Sequence, residues 1–482
     1  MSEAVNIQKP LSGLGQRTKG DKVIWALVLL LVLASLLVVY SATGSLAYKM
    51  YKGNTEVYLF KQIAFIAVGF CVIYFAHLVN YTIYSRIAKV LFLLSVPLLL
   101  YTLLFGVTLN EGSRWIRLPI INLTMQTSDL AKLALFMYLA RLLSRKQNVI
   151  KDFKKGFLPV MTPVAITCLL IAPANLSTAL LLGASCLVML FIGRAHIKHL
   201  LGVIGLALVP VAFLVMAAVI SHKSGPEEEA EAPREKSSRL TARVSTWVSR
   251  VEHFIYGSKD QADNDNLYQV NQAKIAIAKG GLLGSGPGNS EQRNFLPQAY
   301  NDFIYAIIIE EYGLLGGAFI IFIYLVFLYR SIGLFKRCPY AFGAFLALGL
   351  SFTLVFQAMA NMAVNVNLFP VTGVTLPLVS MGGSSFLFTC LSIGIILSVA
   401  RNVEQLEAPK PDPGAPGIAE AEAEEGPLKN YLLDDDEDEE EEDEEEEGQT
   451  EQGNKLKPEK RKPSDIPASL LQPPPKKEWL KQ

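Results

Sequence analysis

Long apolar runs broken by short charged loops dominate the first 401 residues of the chain. The first run, Val23 to Tyr40, contains no charge and is long enough to cross a hydrocarbon core of roughly 30 Å, which takes about 20 helical residues. Reading each run against its charged breaks predicts ten spans, at 22–43, 58–79, 86–106, 126–144, 157–173, 176–193, 199–220, 302–330, 341–363 and 385–401. Backbone polar groups in lipid must pair within the chain, so spans of this kind are helices. The predicted fold class is an all-α integral membrane protein with about ten transmembrane helices, one long extracytoplasmic loop and a disordered cytoplasmic tail. No cleavage-site pattern follows the first run, which reads as a retained span and not as a signal peptide.

Orientation follows from the short loops, because Lys and Arg accumulate on the cytoplasmic side. Lys9, Arg17, Lys19 and Lys22 precede the first span, and Arg141, Arg145, Lys146, Lys151, Lys154 and Lys155 follow the fourth. Arg194 and Lys198 follow the sixth, and Arg330, Lys336 and Arg337 the eighth. This alternation predicts that both termini are cytoplasmic and that residues 221–301 form one outer loop. Within it, GPEEEAEAPREK (225–236) reads as flexible. The stretch Arg239 to Tyr256 reads as an amphipathic helix, with Leu240, Val244, Trp247, Val248, Val251, Phe254 and Ile255 on one face and Arg239, Arg243 and Arg250 on the other. Such a helix lies on the membrane surface or on the bundle.

Composition agrees with this pattern. Of 482 residues, 51% are hydrophobic and 18% charged, with a mean hydropathy of +0.32, which excludes a simple soluble protein. The formal charge of zero hides a division near Arg401: 34 basic and 19 acidic residues up to it, 10 basic and 25 acidic after it. The basic surplus serves topology first and also suits anionic lipid heads or phosphate-bearing substrates. The tail, with its acidic run Asp434 to Glu447, cannot bury enough apolar surface to offset chain entropy. The predicted organisation is a cytoplasmic segment, 1–21, a membrane domain, 22–401, and a disordered acidic, Pro-rich tail, 402–482. The five cysteines show no CxxC spacing, so neither a zinc site nor a disulfide framework is indicated. His196 and His199 read as part of an interfacial basic turn.

Ionisable residues within spans are costly and mark candidate sites. Here they are Asp129 and Lys132 in the fourth span and Asp302, Glu310 and Glu311 in the eighth. Asp129 and Lys132, three apart, can form a plain internal ion pair or bind a charged group. Asp302 is expected at the start of a helix entering from the outer face, where an Asp is most often a cap. Glu310 lies roughly 12 Å further along a straight helix, which rules out a close carboxylate pair. The glycine-rich GGLLGSGPG (280–288) has no following Lys-Ser/Thr, so it is no nucleotide-binding loop and reads as a sharp re-entrant turn. The Gly/Pro-punctuated segment 368–385 is expected to line a cavity, where irregular backbone is covered by protein or water.

Three stretches carry a family resemblance. EGSRWIRLPIINLTMQTSDLAK (111–132) is similar to a G-x-x-R-W-I motif followed by Q-P-S-E-x-x-K. YQVNQAKIAIAKGGLLGSGPGNSEQRNFLPQAYNDFIYAIIIEEYGLLG (268–316) and TLPLVSMGGSS (375–385) are similar to a central and a closing signature. Together they make the chain, over roughly residues 22–401, resemble the SEDS family of bacterial membrane proteins (shape, elongation, division and sporulation). GNSEQ at 288–292 is closer to the division branch than to the elongation branch. Thr127 stands where Pro is usual, Asp129 where Glu is usual, and Asn175 where Asp is common.

The resemblance implies a glycosyltransferase that polymerises lipid II, the undecaprenyl-diphosphate-linked disaccharide peptide, into β-1,4 glycan strands at the outer face of the bacterial cytoplasmic membrane, in division at the septum. Asp302 falls on the family's essential aspartate and would be the general base. Arg114, Lys132 and Arg243 would bind the diphosphate, with Gln126, Ser128 and Asp129 supporting Lys132. Ser384 and Ser385 would line the cavity, and Gln298 completes the substrate-binding set. No dedicated metal ligands stand out, and a divalent cation such as Mg at the diphosphate is left open. Implied partners are lipid II, membrane lipids, a class B penicillin-binding protein and other division proteins, with no nucleic acid. A lipid II flippase and a non-catalytic division scaffold are the alternatives.

Overall fold

Every one of the ten predicted spans is a helix. The computed structural model describes residues 20–44, 56–109, 112–117, 124–224, 239–256, 265–296 and 299–407. The first seven spans are α1 (Lys22–Ala42), α2 (Glu56–Leu78), α3 (Tyr81–Phe105), α4 (Thr127–Arg145), α5 (Leu158–Ile171), α6 (Leu176–Ile192) and α7 (Ile197–Ser224). Two further helices, α8 (Arg239–Tyr256) and α9 (Asp265–Gly280), lie in the predicted outer loop. The last three spans are α10 (Ile304–Arg337), α11 (Ala341–Asn365) and α12 (Gly383–Glu407).

Among the described residues, eight helical stretches are long and apolar enough to cross a membrane, one of them α5 together with the π-turn Phe153–Phe157 before it. The helix α6 is apolar but has 17 residues. The helix α4 is buried on almost every face, as befits a helix at the centre of a bundle. It packs on α3 and α11, and α11 also packs on α10 and α6. Close approach there depends on small residues, as in membrane bundles generally. A Cβ on Gly349 of α11 would lie 2.8 Å from Met189 Sδ of α6 and 3.0 Å from Phe136 Cδ1 of α4.

The helix α10 is broken at Gly313, whose φ of 70° is left-handed. The predicted glycine-rich turn fills the break. Leu314 N–H donates to Gly281 O at 2.9 Å, Ser285 N–H to Glu310 O at 2.9 Å, and Gly286 N–H to Glu311 O at 3.0 Å. Backbone groups that the break frees from the helical ladder are thus re-paired by the turn, a requirement for irregular backbone inside a membrane protein.

At one end of the bundle, Asp21 caps α1 by accepting from Val23 N–H at 2.9 Å. Its other oxygen accepts from Arg330 of α10 at 2.6 and 2.9 Å, and Glu404 of α12 accepts the Gly20 N–H at 2.5 Å. Lys22, Arg330 and Arg337, assigned by charge to one side of the membrane, therefore belong to one end of the structure. Asp302 lies at the other end of α10, up to about 40 Å away at 1.5 Å per residue.

Two details differ from the sequence reading. The all-helical membrane fold carries one small sheet, β1 (Val107–Leu109), β2 (Gly112–Arg117) and β3 (Thr124–Gln126), antiparallel in that order with Trp115 opposite Gln126. Strands this short give no alternation that stands out beside apolar runs of 20 residues. The last helix continues beyond Arg401 to Glu407, because loss of hydropathy ends contact with lipid but not the helical ladder. The amphipathic helix α8 forms over its predicted bounds and packs on α7. The segment 225–236, expected to be flexible, and the tail from residue 408 lie outside the described residues.

Replacing Gly313 by Ala would force a Cβ to within 2.2 Å of Leu282 O at a positive φ. Strain of that kind costs about 1–3 kcal/mol, so Gly313→Ala is expected to lower the melting temperature in detergent measurably, whereas Gly333→Ala, in open space on the same helix, is not.

Candidate active site

The site is organised by an irregular segment, residues 374–382, between α11 and α12. Its carbonyls point away from any helical ladder, and side chains of three spans receive them. Asn361 Nδ2 of α11 donates to Val374 O at 2.7 Å and Gln357 Nε2, one turn earlier, to Thr375 O at 3.1 Å. The Tyr324 hydroxyl of α10 donates to Pro377 O at 2.5 Å, and the Ser35 hydroxyl of α1 to Val379 O at 2.9 Å. Buried polar groups in such a setting are hydrogen-bonded or costly.

This segment fixes the turn that carries Asp302. Ser380 Oγ donates to Asn301 O at 2.6 Å and Met381 N–H to Tyr300 O at 3.0 Å. Asn361 and Asn365 donate to Asp302 O at 2.8 and 3.0 Å. The expectation that Asp302 caps α10 is corrected here. The cap position is Phe303, without a side-chain bond, and Asn365 Oδ1 accepts the Ala306 N–H of the first turn at 3.1 Å. The Asp302 neighbour Tyr300 has its phenol held above the ordinary range, first by burial and then by Tyr58 and Asp302.

The same segment leads to a second group of predicted residues. Ser384 Oγ, at the start of α12, accepts the Gln126 N–H at 3.2 Å, and Gln126 Nε2 donates to Ser128 Oγ at 2.9 Å. Two residues into α4, Asp129 Oδ1 meets Lys132 Nζ at 2.6 Å, with the carboxylate 5% and the ammonium 15% exposed. Asp129, Lys132, Ser385 and Gln357 line one small cleft of about 30 Å³, together with Phe136 and Phe388. The ion pair foreseen from the spacing is present, and it faces a cavity. Asn175, where a carboxylate is common, caps α6 through Thr178 N–H at 3.3 Å.

Six predicted residues, Gln126, Ser128, Asp129, Lys132, Ser384 and Ser385, are thus gathered, and Asp302 is joined to them through residues 374–385. Gln298 lies outside the described residues. Arg114 falls on β2 and Arg243 on α8, with side chains outside what is described. Glu310 and Glu311, both 1% exposed, are anchors. Glu310 accepts from Ser290 Oγ and from the Glu291 and Gln292 N–H groups at 3.1 and 3.2 Å. Glu311 accepts from Ser41 Oγ of α1. Sequence reasoning missed Gln357, Asn361 and Asn365, although carboxamides four apart in an apolar span were a legible signal. Among the described residues, no three His, Cys, Asp or Glu side chains cluster closely enough to hold a metal ion.

Comparison with known proteins decides the family. The profile of the cell cycle protein family that spans FtsW, RodA and SpoVE matches residues 21–405. The chain belongs to the SEDS family. Stage V sporulation protein E of Bacillus subtilis (strain 168) is 33% identical over 393 residues, covering 80% of this chain and 98% of that protein. A probable peptidoglycan glycosyltransferase FtsW of Geobacter sp. (strain M18) is 32% identical, over 80% of this chain and 99% of its own. Among solved structures, a chain of a peptidoglycan synthase complex aligns with a TM-score of 0.59 at 23% identity, over 80% of this chain and 98% of that one. The rod shape determining protein RodA of Thermus thermophilus aligns with a TM-score of 0.53 at 23% identity, over 80% and 97%. These structures show that the SEDS fold is shared.

Removing one partner of a buried ion pair costs about 3–5 kcal/mol, whereas an apolar replacement of both is often neutral. Lys132→Met alone is therefore expected to lower thermal stability more than the double change Asp129→Leu with Lys132→Met, measured by thermal unfolding in the same detergent.

Proposed function

We propose that this SEDS protein is a peptidoglycan glycosyltransferase of the division branch, polymerising lipid II at the outer face of the cytoplasmic membrane with Asp302 as general base. The observation that carries the reading is the shared scaffold: residues 374–385, the irregular segment with the first turn of α12, hold the Asp302 turn through Ser380 and Met381 and reach the Lys132 cleft through Ser384 and Ser385. Asp302, as carboxylate, takes the proton from the acceptor sugar 4-hydroxyl while that oxygen attacks the donor anomeric carbon. A sugar hydroxyl is a poor acid, so proton transfer is concerted with attack. The C–O bond to diphosphate breaks on the opposite face, and an α-linked donor becomes a β-1,4 product.

Charge that gathers on the leaving diphosphate calls for preorganised cations. Lys132 supplies one, held in place by Asp129, and Arg114 and Arg243 are the further candidates. Gln126 and Ser128 support Lys132 across the start of α4, Ser384 and Ser385 line the approach, and Gln298 completes the candidate substrate-binding set. Among the described residues, no three His, Cys, Asp or Glu side chains could together hold a divalent cation.

Topology supports the side of the membrane. Arg330 and Arg337 share an end with Asp21, and the charge rule makes that end cytoplasmic; Asp302, at the opposite end of α10, then faces outward, where lipid II is consumed. A class B penicillin-binding protein is the partner that would cross-link the strands. A flippase would need ionisable groups along a path through the bilayer, whereas Glu310 and Glu311 are engaged in holding the α10 break.

The test is polymerisation of fluorescent lipid II by the purified protein with its class B partner. Asp302→Asn is expected to reduce glycan formation by about 10²–10⁴-fold, the usual worth of a general base, at unchanged yield of the complex. Equal glycan from both proteins would refute the base assignment. Absence of glycan from wild type, with lipid II translocation measured in vesicles, would favour the transporter.

A further inference from the structure

Among the buried polar side chains that this mechanism does not use are Gln62 on α2, Ser35 on α1 and Tyr324 on α10, 2%, 0% and 3% exposed. All three bear on one strained residue. Leu378 adopts φ 63°, a left-handed conformation that a branched, buried side chain rarely takes, and it is flanked by the two carbonyls these side chains hold. Gln62 Nε2 donates to Ser35 Oγ at 2.8 Å, and Ser35 Oγ donates onward to Val379 O at 2.9 Å. On the other side, Tyr324 OH donates to Pro377 O at 2.5 Å. The twist at Leu378 turns Ser380 so that its hydroxyl accepts from Leu376 N–H at 2.8 Å while donating to Asn301 O at 2.6 Å.

We infer that Gln62, Ser35 and Tyr324 are positioning residues for Asp302: by clamping the carbonyls on either side of Leu378 they hold Ser380 and Met381 against the Asn301 and Tyr300 carbonyls, and so set the height of the Asp302 turn. The inference rests on the glycosyltransferase reading. None of the three lines the Lys132 cleft. Their effect reaches the reaction through the closing segment and the Ser380 hydroxyl it carries, as placement of a base within the small tolerance that proton transfer demands.

The test uses the full chain with its class B partner. Ser35→Ala and Tyr324→Phe each delete one oxygen and leave the shape of the core intact. Ser331→Ala is the control: that hydroxyl is equally buried in α10 and donates to Phe327 O of its own helix at 2.9 Å. Ser35→Ala and Tyr324→Phe are each expected to lower kcat about tenfold with KM within about twofold, the pattern of a contact realised in the transition state. Both are expected to speed amide exchange across residues 299–303, and the control to do neither. Gln62→Leu is expected to reproduce Ser35→Ala, and the double variant to be no worse than either, because the two act as one relay.

Exchange and kcat matching the control would overturn the inference. Faster exchange with an unchanged kcat would overturn it as well, since the turn would then move without consequence. Faster exchange in a protein whose wild type makes no glycan would leave the clamp standing and refute the glycosyltransferase reading instead.

Discussion

Inside a bilayer, a carbonyl outside a helical ladder must find a donor within the protein, and this one requirement shapes the functional end of the molecule. The chain leaves regular helix within the bundle at Gly313 and again at residues 374–382. At the first break the partners are backbone groups of a glycine-rich turn. At the second they are Asn361, Gln357, Tyr324 and Ser35, drawn from α11, α10 and α1. Helices far apart in sequence are thereby tied to a few peptide groups, and the turn bearing Asp302 is fixed by the same ties.

The buried charges divide by what surrounds them. Glu310 and Glu311 face hydroxyls and backbone N–H groups and brace the loop below the Asp302 turn. Asp129 and Lys132 face each other and a cleft. Asp21 with Arg330 closes the opposite end. The Lys132 cleft joins an ion pair to nearby space, and the Asp302 turn sets a carboxylate on an irregular, tightly held backbone, arrangements suited to stabilising charge as it develops.

Family membership and physical reading meet at these places without duplicating each other. Relatives about one-third identical carry the family name and, in several cases, a glycosyltransferase name; the solved structures share the fold at lower identity. What the present structure adds is the way residues from distant motifs converge. The motif around Gln126 and Lys132 and the motif around Asp302 are each bonded to the closing segment 375–385, which is why three separate signatures serve one site.

By itself the sequence determined the ten helices, through run length and charge breaks, and α8, through its 3.6-residue apolar periodicity. It also marked Asp302, Asp129 and Lys132, because ionisable groups stand out in apolar runs. The carboxamides at 357, 361 and 365 were legible by their spacing but carry no charge to draw attention. The roles of Ser35, Gln62 and Tyr324, the cap made by Asn365 in place of Asp302, and the anchoring duty of Glu310 were decided by tertiary structure alone. Each depends on a donor and an acceptor 18 to 344 residues apart coming within about 3 Å, and local propensity carries no information about such a meeting.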